Sequence, residues 1–404
     1  MSTIKSSSEH LTLNADGSGK EVKIQRDGTE VLATTSSGVD ITGSVSDTDG
    51  NVRSGRKNLI INGAMQVAQR GTSATVSDNS NEQYSTLDRW YLNFNNSIGG
   101  AVTFSQSTDT PSGFGNSLKI QCSTTDTSFS TNEYVSVSQL IEAQDLQRLS
   151  YGTAAAKQIT LSWQMKTDTY TGPITVAFET NDGTVEYYVK SYTPTTSWAE
   201  YTCTIPASTS ATINNDNGNG MRVSFVLAGH TSSSIAAASD STAWSTTRAD
   251  YRSNIGNILS NTSNAIYITG VQLEVGTAAT DFEHRSYGEE LALCQRYYYQ
   301  LIDGASQSVG SGWFYASTSA SVVIPHPVTM RTTPSVVRTS GTNYFRIEGG
   351  GYSLGISGNF TVNNSTPRVS RLYDNTSVSG GTTGHGNWWY SSSSSARLAL
   401  DAEL

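Results

Sequence analysis

Between Ala265 and Leu301 the hydrophobic period of the chain changes, and that change constrains the fold more than any other stretch. Apolar residues alternate through Ile266, Ile268, Val271 and Leu273, the period of a strand. After a polar passage, Leu291, Cys294, Tyr298 and Leu301 recur at helical spacing, so the reading is a last strand, a helix over about 288–301, and then a new β region. The acids Glu289 and Glu290 fall in the first helical turn, where the helix dipole favours them. In a trimer such a helix could pack against its symmetry mates.

Short strand-like runs fill the chain on both sides of this junction. From 58 to 285 they include Arg89–Phe94, Val102–Phe104, Ser117–Gln121, Tyr134–Val137, Ile159–Trp163, Ile174–Phe178, Trp198–Cys203, Met221–Val226 and Ala265–Ile268, spacings that suit an antiparallel jelly-roll sandwich. The 240–264 stretch, rich in Ser, Asn and Ala, reads as an excursion over one sandwich edge. From 304 to 404 the runs Gly312–Tyr315, Ala320–Ile324, Ser335–Arg338, Tyr344–Ile347, Phe360–Val362 and Ala396–Leu400 describe a second, smaller β-sandwich head. Residues 1–57 hold three runs, His10–Leu13, Glu21–Ile24 and Val39–Thr42, too small to close a core, so they read as an intertwined or docking segment of an oligomer, or else as a linker. The expected organisation is all-β: 1–57 extended, 58–285 jelly-roll, 286–303 connecting helix, 304–404 head.

Charge narrows the partners. A formal net charge of −9 and only 15% charged residues leave little with which to release counterions from a phosphate backbone, so nucleic acid is not an expected partner. From residue 300 onward there are six arginines, no lysine and five acids, a formal +1 against −10 for the rest. Arginine forks match carboxylates bidentately, as on an acidic glycan, and Arg346 is the one placed among the candidate site residues. Cys122, Cys203 and Cys294 lie far apart without metal-ligand spacing and read as buried free thiols, in keeping with assembly in a reducing cytoplasm. There is no signal-peptide pattern, and no window approaches the apolar length of a membrane span.

Motifs for chemistry are missing. No P-loop or dinucleotide fingerprint occurs, and the five histidines are scattered. The expectation is a protein without catalytic residues and without a required cofactor. Asp168, Glu179, Asp182 and Glu186 read as solvated carboxylates at strand ends. Asn214–Gly220 offers oxygen ligands for a structural Ca²⁺ but departs from the EF-hand order. The strongest binding candidate is the Gly384–Tyr390 loop, where Trp388, Trp389 and Tyr390 could stack on sugar C–H faces while His385 and Asn387 bond hydroxyls. In an extended strand Trp388 and Trp389 point to opposite faces, one inward and one outward. Trp313, Tyr315 and Tyr344 are neighbours for this loop or core residues of the head.

The whole layout resembles the distal tail-fibre proteins of tailed bacteriophages. The residues that carry the resemblance are the Asn58–Gln66 opening, the Gln272–Glu274 to Cys294–Gln300 junction, the run from Ile324 to Val336, and the terminal Leu400–Leu404. The order of the sandwich strands is similar to carbohydrate-binding-module jelly-rolls. The resemblance implies a homotrimer, attached to a phage tail, baseplate or adaptor protein through 1–57 and recognising a host surface polysaccharide through its C-terminal domains. It also implies a place in the virion and no insertion into membranes. Two rival expectations stand beside it: a virion polysaccharide depolymerase, and a structural connector that binds another phage protein. Nothing like the long β-helical coils of enzymatic tailspikes occurs, which favours binding over cleavage.

Overall fold

The computed structural model describes residues 56–77, 84–341 and 343–404, together with three strands near the start of the chain. Two compact units result, Met1–Arg56 and Lys57–Leu404. In the first, the strands Lys23–Arg26, Thr29–Thr35 and Gly38–Ile41 form an antiparallel sheet. The His10–Leu13 run lies outside the described residues, and the middle strand was not among the sequence expectations.

The larger unit begins with a jelly-roll of two antiparallel sheets. Tyr91–Asn95, Tyr134–Glu142, Asn219–Gly229, Ile174–Thr180 and Tyr187–Tyr192 make the five-stranded sheet. Ser73–Ser77, Ala101–Ser107, Ser117–Thr124, Ala265–Val275, Ile159–Thr167 and Ala199–Ile205 make the six-stranded one. Alternation puts Trp90, Phe104, Leu161, Trp163, Phe178 and Phe225 between them in one apolar core, and burial of that surface drives the sheets together. The 230–257 segment bonds to the edge strand at Tyr187 and Val189, then covers the outer face of the five-stranded sheet, where Ile235, Tyr251 and Ile255 pack on Tyr134, Ala177 and Val226. It is thus a cover over a face as well as an edge excursion.

The junction helix is shorter than its periodicity implied. It runs Tyr287–Gln295, opened by a capping box in which Ser286 Oγ accepts from the Glu289 amide and the Glu289 carboxylate accepts from the Ser286 amide. Tyr298–Asp303 is a strand instead, paired with Arg397–Asp401. Apolar residues at Tyr298 and Leu301 fit a helical stripe, but three aromatics in a row favour extended backbone, and the last strand of the chain supplies the ladder. Tyr297 and Tyr298 are buried within the unit, so they do not form an outward helical seam.

The head is a sandwich of a three-stranded sheet, Tyr298–Asp303, Arg397–Asp401 and Ser335–Arg338, and a seven-stranded sheet. The latter runs in the order Tyr352–Ile356, Phe345–Gly349, Gly386–Ser391, Ser308–Ala316, Ser319–Pro325, Val369–Asp374, Thr361–Val362. Phe314, Phe345, Phe360, Leu372, Trp389 and Leu398 fill the space between.

Head and jelly-roll meet through polar and ionic contacts, and the start of the larger unit is tied into the same junction. Asn62, in a left-handed conformation, accepts from the Val67 amide and donates to the carbonyls of Val67 and Asp88, while its own amide donates to Glu290. Gly63 lies so close to the Val271 carbonyl that a Cβ would sit 2.1 Å from its oxygen, so only glycine fits. Arg285 donates to the carbonyls of Asn58 and Ile60. The fully buried Arg89 pairs with Glu403, lies 3.5 Å over the Tyr297 ring and donates to the Leu140 carbonyl. Arg70 reaches the same carboxylate at 3.1 Å and covers Tyr298. Arg296 grips Glu142 with two bonds of 2.7 Å, and Arg331 donates to the Ala402 and Glu403 carbonyls.

Glu283 sits at the edge of this junction. Burial would raise its carboxyl, but the amides of Asn58 and Lys57 and the Arg285 guanidinium outweigh that and hold it at about 2. A depressed carboxyl contributes stability that is present above its ordinary value of 4.5 and lost as pH falls toward about 2. Glu283→Gln is therefore expected to lower stability at neutral pH and to flatten the loss below pH 4.5, read by chemical unfolding at a series of pH values. Equal acid sensitivity of the two proteins would count against this. Asp88, pushed up to about 6 by burial, acts in the opposite sense but is common to both proteins.

Candidate functional site: the outward face of the head sheet

The segment 384–390, expected as a loop, is a strand from Gly386 onward at the interior of the seven-stranded sheet. Its aromatic residues suit extended backbone, and glycines at 384 and 386 confine the turn to the segment's start. Strand alternation then decides each candidate. Trp388 and Tyr390 point outward, their rings stacked at 4.7 Å and 27°. Trp388 Nε1 donates to Ser308 Oγ at 2.8 Å.

Trp389 and Asn387 are corrected out of the site. Trp389 is fully buried against Phe360, and Asn387, 6% exposed, accepts from its indole N–H at 2.9 Å. The inward-pointing parity of positions 387 and 389 excludes both from an external ligand. His385 is exposed in the turn beside Gly350, off the sheet face. Tyr344 is partly buried against the head core.

Cross-strand register collects the others on one plane. Ser311 lies opposite Trp388, Trp388 opposite Glu348, and Tyr390 opposite Arg346. On the other side Trp313 lies opposite Ser321, Ser321 opposite Tyr373, and Val323 opposite Arg371. Trp313, Tyr315 and Trp388 are 36%, 59% and 44% exposed. With Val323 they account for four of the seven exposed large hydrophobic residues among the described ones, so exposure is concentrated on this one face.

Three charged groups frame the aromatics. The Tyr390 hydroxyl donates to Glu348 at 2.6 Å and the Ser353 hydroxyl at 2.9 Å, and these bonds hold the Glu348 carboxyl below its usual value. Arg346 donates to Ser353 and lies 3.9 Å from Glu348. At the far side the Arg371 guanidinium is set among Trp313, Tyr315 and Tyr373, 5.3–5.7 Å from each ring centroid, and donates twice to Ser321 Oγ. The face can stack a sugar ring, donate to its hydroxyls and offer a guanidinium edge to a carboxylate. Arg371, Tyr373 and Ser353 were missed because their strands were not read, and Glu348 because the run read as Tyr344–Ile347 stops one residue short of it; the alternation of Ser370, Leu372 and Asp374 inward against Arg371 and Tyr373 outward was the available signal.

No family model and no curated protein matches this chain. Solved structures do. A structure described as a putative sugar-binding protein of Bacteroides thetaiotaomicron aligns at 12% identity and a TM-score of 0.31, over 55% of this chain and all of that one. The family 11 carbohydrate-binding module of a Clostridium thermocellum cellulase aligns at 14% and 0.26, over 52% and all of that chain. The enzymatically active domain of tailspike protein 4 of bacteriophage CBA120 aligns at 10% and 0.28, over 54% of this chain and 21% of that one. Likeness at these scores does not bear on what this chain binds.

The other candidates read from the sequence are engaged within the chain. In the Asn214–Gly220 loop, Asp216 accepts from the Gly218 amide, Asn214 bonds to Asp182, and Asn217 exchanges bonds with Arg331. No cluster of three metal-ligating side chains occurs among the described residues. Of the carboxylates expected in solvent, Glu186 is instead buried, accepting from Ser208 and Ser210, and Glu179 pairs with Arg222. All three cysteines are buried free thiols. Among the described residues no helix is long and apolar enough to cross a membrane.

Proposed function

We propose that this chain is a tail-fibre protein of a tailed bacteriophage that recognises a host surface polysaccharide through the outward face of its head sheet. The observation that carries the binding part is the concentration of Trp313, Tyr315, Tyr373, Trp388 and Tyr390 with Arg346, Glu348 and Arg371 on one plane. The tail-fibre part is supported by the sequence resemblance of the junction segments. In this reading residues 1–57 attach to a tail, baseplate or adaptor protein and the protein acts in the virion as a homotrimer without catalysis. Three weak sugar sites then act together through effective concentration.

The test uses full-length protein, its Trp388→Ala variant, and surface polysaccharides from a panel of bacteria, acidic and neutral. Trp388 is half exposed, so its truncation leaves the fold in place. Affinity for the recognised polysaccharide is expected to fall about tenfold, the size of one aromatic stacking contact. New reducing ends would replace this reading with a depolymerase. Unchanged affinity would remove the face from recognition, and a folded oligomer that binds no polysaccharide would leave the connector role.

A further inference from the structure

The jelly-roll holds a second, chemically different feature: a cavity of about 230 Å³ on the outer face of its six-stranded sheet. Gln164 and Glu200 are cross-strand partners there, and Ser162 lies two residues along the same strand as Gln164. Beside them the Ala265–Val275 strand bulges between Thr269 and Gln272. At the bulge Gly270 has φ +62°, and a Cβ would stand 2.7 Å from the Phe114 ring, so this glycine admits the ring. Phe114, Phe282 and His284 contact one another with centroids 4.9–5.2 Å apart and form an aromatic wall. Gln272 fixes that wall: its amide donates to the Thr280 and Asp281 carbonyls and its carbonyl accepts from the Glu283 amide.

We infer that this cavity binds a single neutral pyranose ring, with its C–H face on the Phe114–Phe282 wall and its hydroxyls on Glu200 and Gln164. Size sets the limit of one ring, since the volume lies below the roughly 300–1,000 Å³ of pockets that enclose drug-sized ligands. Charge sets the class. Glu200 and Asp281 line the cavity and, among the described residues, no lysine or arginine does, so carboxylates accept from sugar hydroxyls while an acidic sugar is repelled. The head face, with two arginines, has the opposite preference. The inference is independent of the head reading, because no residue is shared.

The experiment titrates full-length protein with methyl glycosides of glucose, galactose, mannose and N-acetylglucosamine, and with methyl glucuronoside, by saturation-transfer NMR and calorimetry. Glu200→Gln, Phe282→Ala and the head variant Trp388→Ala are measured in parallel. At least one neutral glycoside is expected to bind at millimolar concentration, with glucuronoside weaker. Glu200→Gln is expected to weaken binding about tenfold by replacing a charged acceptor, and Phe282→Ala to abolish it, whereas Trp388→Ala leaves it unchanged. Glu200→Gln is isosteric at an exposed position, so a folding defect in Phe282→Ala does not remove the test. The inference is overturned if no neutral glycoside binds, if glucuronoside binds as well, or if Glu200→Gln leaves affinity unchanged.

Discussion

Replacing Glu403 by alanine is expected to destabilise the Lys57–Leu404 unit by about 3–5 kcal/mol, the cost of leaving a buried charge without its partner. Arg89 is fully buried and Arg70 nearly so, and both guanidiniums converge on this one carboxylate. Asp88, 3.6 Å from Arg70, cannot replace it at Arg89. Each guanidinium also stacks at 3.5 Å on a tyrosine ring, Arg70 on Tyr298 and Arg89 on Tyr297. The effect is measurable as a lowered urea midpoint of the larger unit. The double variant Arg89→Met with Glu403→Leu is expected to recover a large part of the loss, because it removes the unpaired charge along with the pair. A cost below 1 kcal/mol for Glu403→Ala would mean that the junction does not depend on this cluster.

The second large effect falls on one of two adjacent tryptophans. Trp389→Ala is expected to cost about 3–5 kcal/mol, since it empties a core position packed against Phe360 and leaves Asn387 without its indole donor. Trp388→Ala, one residue earlier on the opposite face, is expected to cost under about 1 kcal/mol while reducing glycan affinity. Thermal or urea unfolding of the two variants side by side separates them. A stability loss in Trp388→Ala that matched Trp389→Ala would contradict the inward and outward assignment, on which the proposed site rests.

Parity within a strand was legible in the sequence, and for that reason nine of the eleven jelly-roll strands and the opposed tryptophans could be anticipated from alternation, while the edge strands Ser73–Ser77 and Tyr187–Tyr192 were not. What could not be read was anything set by neighbours far along the chain. Arg371 comes near Trp313 because the Ser319–Pro325 strand, whose Ser321 hydroxyl accepts from the guanidinium, lies between their two strands, and this adjacency is a property of strand order rather than of either local segment. The pairing of Arg89 with Glu403 spans 314 residues and leaves no local trace. At Tyr298–Asp303 the local signal itself was ambiguous, since apolar residues three apart satisfy a helical stripe while aromatic residues in succession satisfy a strand. The partner strand resolved it.

The closeness of Asn58 and Arg285 has a mechanical consequence. The Asn58 carbonyl accepts from Arg285 at 2.5 Å although 227 residues separate them, so the chain enters and leaves the jelly-roll at nearly one point. A pull applied between Lys57 and the head is carried across this short bridge of Asn58, Ile60, Arg285 and Glu290. The jelly-roll hangs beside the line of tension instead of forming a link in series, and its eleven main strands are spared the load until the bridge gives way.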